Sequence, residues 1–211
     1  MTRILPAALV LVAIASRLPA QAPSASPGAP VDTQRVKTYL AGMLGMRSTP
    51  ATFLFTTAQF PAFQSVQFFV GHVPGAHGSQ EEAFVAAVPE LGLVPLGCEA
   101  TARLLASRMP SPLRRSDALQ YARDLAVLSG QLPSSATIVR DLSALPAWVM
   151  AEAQARRLEV RASGVVDEGA TIRVTLLAFG PALWEVTVVL GEDPARDTVL
   201  PGRLLIGNPS G

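Results

Sequence analysis

The feature that most limits how this chain can fold is a change of hydrophobic period at Arg156. Upstream, apolar residues recur at helical spacing. Downstream they alternate one by one, the period of half-buried strands. Leu158, Val160 and Ala162 alternate with Glu159 and Arg161, and Asp167-Glu168-Gly169 predicts a turn. Ile172, Val174 and Leu176 alternate with Arg173 and Thr175, and Gly180-Pro181 predicts the next turn. Trp184, Val186, Val188 and Leu190 alternate with Glu185, Thr187 and Val189. After a charged loop from Gly191 to Asp197, Thr198 to Ile206 reads as a last strand, interrupted by Pro201 and suited to an edge. The pattern is an antiparallel meander with one buried face.

Before this meander the elements are mostly helical. Asp32 is placed to cap a helix from about Thr33 to Met46, with Val36, Tyr39, Leu40, Met43 and Leu44 on one face. Ser79 and Glu82 form a capping box, predicting a helix that Pro89 ends. Pro89 to Gly97 is irregular and apolar, with room for a short strand, and a helix from Cys98 to Met109 follows. Ser116 is read as the cap of a helix with Ala118, Leu119, Ala122, Leu125 and Ala126 inward, stopped by Gly130. A further helix is predicted from Ser135, with Ile138, Val139, Leu142 and Leu145 inward and Pro146 kinking it or opening a new one. Two segments break the helical pattern. Thr52–Thr57 and Gln64–Val70 read as strands, and six of the eight phenylalanines lie in or between them. Helices and a Phe-rich strand pair followed by a C-terminal antiparallel meander make the fold class α+β.

The N-terminus has a different character. Arg3 precedes the uncharged run Ile4–Ala15, Arg17 ends it, and small residues stand at Ala20 and Ala22. This is the layout of a cleavable secretory signal, and the run is too short to span a bilayer. The expected organisation is therefore a signal peptide at 1–22, a Pro/Ser/Ala linker at 23–30 and one domain at 31–211. The expected destination is secreted or periplasmic, with no membrane span after cleavage. The chain holds 17 basic and 16 acidic residues, so losing Arg3 and Arg17 leaves it one net negative charge. Nothing in that balance favours nucleic acid or anionic lipid. A basic complement with Lys37 as its only lysine, together with abundant Ala, Pro and Gly, suggests the codon bias of a GC-rich bacterium. A single cysteine forms no internal disulfide, so the core alone must hold the fold.

Three groups of residues are candidates for chemistry. His72 and His77 flank a Gly/Pro-rich loop, and with Glu81 they offer donors for a divalent metal. Cys98 starts a predicted helix, where amide dipoles favour a thiolate, and His72 or His77 is a candidate base for it. The expectation weighed against this is a buried, inert cysteine. Phe53, Phe55 and Phe68, with Trp148 and Trp184, are candidates to line an apolar site. No cofactor is expected. The leading expectation is a non-enzymatic exported domain that binds a protein partner or a small apolar ligand, or that serves envelope assembly. The alternative is a hydrolase using the His72/His77 loop with a metal, or Cys98 with a histidine.

Overall fold

The computed structural model describes residues 31–46, 53–74, 80–88, 91–109 and 111–207. The expected signal peptide, the linker, His77 and the loop tip that carries it lie outside these residues. The fold is α+β, with two antiparallel sheets sharing a set of helices. No helix among the described residues is long and apolar enough to cross a membrane.

The N-terminal sheet has four strands in sequence order: β1 (Leu54–Ala58), β2 (Gln67–Pro74), β3 (Gln80–Val88) and β4 (Gly92–Pro95). Helix α1 (Thr33–Met43) packs on one face of it. Asp32 caps α1 as expected, its Oδ1 accepting from the amides of Gln34 and Arg35 at 3.0 and 3.3 Å. Alternation sorts this sheet cleanly. Phe69, Val73, Ala83 and Val85 meet Val36, Leu40 and Ala41 of α1. Phe68, Ala86, Val88 and Val94 point the other way, towards helices α2 (Glu99–Arg108) and α4 (Ala118–Leu128). Gly71 faces α1 at close range. A Cβ there would stand 2.6 Å from the Phe53 ring and 3.2 Å from Leu40 Cβ.

The C-terminal sheet is built on the long hairpin β7 (Ile172–Phe179) and β8 (Leu183–Leu190). Short strands β5 (Thr137–Ile138) and β6 (Gly164–Asp167) share the free edge of β7, and β9 (Thr198–Val199) and β10 (Arg203–Ile206) share that of β8. Val174, Leu176, Ala178, Val186, Val188 and Leu190 join the same apolar cluster as α2, α4 and the N-terminal sheet. On the opposite face, helix α5 (Ala147–Ala155) covers only the end around Leu177 and Leu183.

Several sequence expectations are corrected. The segment expected to be a helix ending at Pro89 is strand β3, because it is buried on both faces and so reads as a continuous apolar run that mimics a helix. Ser116 does not cap α4. It closes the short α3 turn (Leu113–Ser116), and Asp117 Oδ1 accepts from the Gln120 amide at 3.2 Å instead. The helix expected from Ser135 is β5 followed by a 3₁₀ turn at Leu142–Ala144, because Ile138 is taken into the sheet opposite Ala178. Pro146 opens α5. Leu158 and Val160 do pack inward against the α5 cluster, but pairing starts only at Gly164.

Candidate functional site

Among the described residues, two concavities on the N-terminal sheet stand out. The first is a bowl of about 510 Å³ in the connection between β1 and β2. Pro61 starts a 3₁₀ turn at Pro61–Phe63, and this turn folds Ala62 and Phe63 under the sheet. The turn is fixed from outside by α4: the buried Asp124 carboxylate accepts from the Ala62 amide at 2.9 Å. Phe60, Phe63, Val66 and Phe68, all buried, form the floor. Phe60 meets Phe68 edge to face at 4.7 Å between ring centroids, and Phe63 lies 5.9 Å from the Tyr121 ring. The exposed Thr57, Gln59, Gln64 and Gln67 form the rim, and among the described residues no ionisable side chain lines the bowl.

The second concavity, of about 270 Å³, lies beside β3 and between the C-terminal ends of α1 and α4. Met43, Leu44, Phe84, Leu96, Val127 and Leu132 supply apolar walls, and Glu82 and Ser134 supply polar ones. Antiparallel register sets His72 opposite Glu82. His72 Nδ1 lies 3.3 Å from Glu82 Oε1, and among the described residues this buried nitrogen has no hydrogen-bond partner. Ser134 Oγ donates to Glu82 Oε2 at 2.9 Å.

The predicted site residues do not converge. Glu81 pairs with Val73, so strand alternation puts it on the opposite face from His72, and the carboxylate beside His72 is Glu82. Among the described residues no group of three His, Cys, Asp or Glu side chains is arranged to hold a metal, and His77 lies outside those residues. Cys98 is exposed, not the buried core cysteine expected, because the chain turns outward at Gly97 (φ +106°) to enter α2. Its Sγ lies 3.3 Å from the Thr101 hydroxyl, and hydrogen bonds from the Thr101 side chain and amide hold the thiol below its ordinary pKa. Phe53 and Phe55 pack under α1, Phe68 and Trp184 belong to the central cluster, and Trp148 lies half-exposed against Phe179 on α5. Of these five, only Phe68 lines the bowl.

Sequence reasoning missed two buried carboxylates that frame α4. Asp197 accepts from Arg114 Nε at 2.9 Å and Nη2 at 2.7 Å, from the Tyr121 hydroxyl at 2.7 Å and from the Gly191 amide at 3.0 Å. Arg114 also donates to the Gly191 carbonyl. The ion pair holds Arg114 more firmly protonated than usual, and burial drives the Tyr121 hydroxyl far above its ordinary pKa. Asp124 accepts from Ala62 N–H, from Gln120 Nε2 at 2.9 Å and from Arg123 Nη1 at 3.0 Å. Burial raises its pKa, a shift that these hydrogen bonds only partly offset. The available signal was an aspartate inside an apolar helical stripe and another at the end of a charged loop. Both read as solvated until their distant partners are known.

No protein-family model, no curated protein and no solved structure matches this chain.

Proposed function

We propose that this chain is an exported, non-enzymatic binding domain whose site is the Phe-floored bowl between β1 and β2, and that its ligand is a small neutral apolar molecule. The observation that carries this is the make-up of the bowl: about 510 Å³, aromatic at the floor, amide and hydroxyl at the rim, and uncharged throughout. An apolar body gains by leaving water against phenyl rings, and the rim groups orient whatever polar atom it carries. A charged ligand finds no countercharge there and keeps its desolvation cost. The turn beneath is held by Asp124, so the bowl is formed before the ligand arrives, which limits the ordering cost of binding. Export is supported by the Arg3, Ile4–Ala15 and Ala20/Ala22 pattern.

The test is fluorescence titration of the purified protein with N-phenyl-1-naphthylamine, a neutral apolar probe. The expected result is a saturable rise that Gln64→Glu or Gln67→Glu weakens by about tenfold, or 1.4 kcal/mol, with the fold intact. A rise that never saturates, or one indifferent to both rim charges, contradicts the proposal. Mass spectrometry of the exported protein is expected to find Pro23 at or next to the new N-terminus. A mature chain still starting at Met1 contradicts export.

A further inference from the structure

The cleft beside β3 differs in chemistry from the bowl, and we infer that it is a second binding site, for a small organic cation: an ammonium group on a short apolar body. Among the described residues, Glu82 is the only charged side chain that lines it. Ser134 holds Oε2 in place from one side, and His72 Nδ1 stands 3.3 Å from Oε1 on the other. The carboxylate is thus oriented and still has lone pairs to offer. Two helices end at this cleft: Met43 and Leu44 belong to the end of α1, and Val127 and Gly130 to the end of α4. A helix C-terminus carries partial negative charge, and neither α1 nor α4 has a basic residue in its last turn to offset it. Arg123 reaches the Ser134 carbonyl at 2.6 Å, but its charge is balanced by Asp124. The field in the cleft therefore favours a cation. Its walls favour carbon, since Leu44, Phe84, Leu96, Val127 and Leu132 surround the carboxylate.

The shape limits the ligand further. Gly130 (φ +76°) lies so near Gly97 that a Cβ would stand 2.8 Å from the Gly97 carbonyl oxygen. Backbone closes that end, and about 270 Å³ is left for the occupant. This excludes a folded partner and suits one ring or a short alkyl chain.

The test is calorimetric titration of the purified protein with 2-phenylethylamine and with its neutral analogue 2-phenylethanol. The amine is expected to saturate one site and to bind at least about tenfold more tightly than the alcohol, a gap of 1.4 kcal/mol. Glu82→Gln is expected to abolish that preference. Ser134→Ala, which leaves the carboxylate charged but unoriented, is expected to weaken the amine about fivefold, the loss of roughly one hydrogen bond. Equal binding of amine and alcohol, no saturation by the amine, or a preference that survives both substitutions overturns the inference. The two sites fail separately. Gln64→Glu should leave the amine unaffected, and Glu82→Gln should leave the naphthylamine probe unaffected.

Discussion

The N-terminal sheet is covered by helices on both faces, whereas the C-terminal sheet is covered along one face and only at one end of the other. Both concavities with a claim to function lie on the first sheet, and neither draws a lining residue from the hairpin of the second. One connection of the first sheet folds back beneath its strands. The β1–β2 arch does this at Phe60–Val66, and the hollow it leaves is the bowl. The C-terminal sheet turns instead by short hairpin loops such as Gly180–Pro181. Under the proposed function the first sheet carries binding and the second is the scaffold against which α4 is held.

The buried carboxylates test that division, and the largest expected effect is at Asp197. Asp197→Ala leaves the buried Arg114 guanidinium unpaired and should cost about 3–5 kcal/mol in urea unfolding. If the scaffold reading is right, the variant loses global stability, while binding at the bowl survives wherever the protein remains folded. Loss of probe binding without loss of stability would reverse the roles of the two sheets.

Gly71→Ala strikes the other half. Its Cβ would collide with the Phe53 ring and crowd Leu40, so the packing between β2 and α1 must readjust, at about 1–3 kcal/mol. The N-terminal sheet should loosen, with faster amide exchange in β1 and β2 and little change in β7 and β8. Uniform loss of protection would mean that the sheets do not respond separately.

Asp124 sharpens the comparison through pH. Its folded pKa is raised, so the native state binds this proton more readily than the unfolded chain does. Its contribution to stability is therefore greatest at acid pH and is lost as pH rises from the ordinary carboxylate range through the raised value. Asp124→Asn cannot ionise and should flatten that part of the stability profile. A profile with the same slope in both proteins would show that Asp124 does not carry it.

The smallest effect is a gain. Arg157 holds φ +53° at the end of α5, with its amide donating to the Gln154 carbonyl and the Leu158 amide to that of Ala153. This is the left-handed helix end that glycine favours, already filled by Gly45 in α1 and Gly130 in α4. Arg157→Gly should raise stability by about 0.5–1 kcal/mol, read as a higher Tm. No gain would mean that the Arg157 side chain offsets its backbone strain.

The same difference in coverage decides what was legible beforehand. The C-terminal sheet leaves Arg173, Thr175, Thr187 and Val189 at least partly in water, so its strands alternate visibly, and β7, β8 and both their turns are where the pattern puts them. The N-terminal sheet hides both faces. In β3, Ala83 and Val85 face α1 while Ala86 and Val88 face α2 and α4, and the merged run imitates a helix. That error moved the expected metal site as well. On a helix Glu81 and Glu82 are nearly equivalent neighbours of a loop histidine, but on a strand only Glu82 shares a face with His72. The bowl was half legible, since the phenylalanines were seen but not which of them share a concavity. Phe53 and Phe55 face α1 while Phe60 and Phe63 turn to the other side, and distant contacts such as Ala62 with Asp124 and Phe63 with Tyr121 hold the second pair there. Asp197 and Asp124 were illegible, because their meaning lies in Arg114, Tyr121 and Ala62, which only the fold brings to them.

The most direct test of the account is amide hydrogen exchange on the whole protein with and without saturating N-phenyl-1-naphthylamine. The account predicts new protection confined to residues 57–69 and the adjoining turn of α4, with the β7–β8 hairpin unchanged. Protection centred on β7 and β8, or no change anywhere, would contradict it.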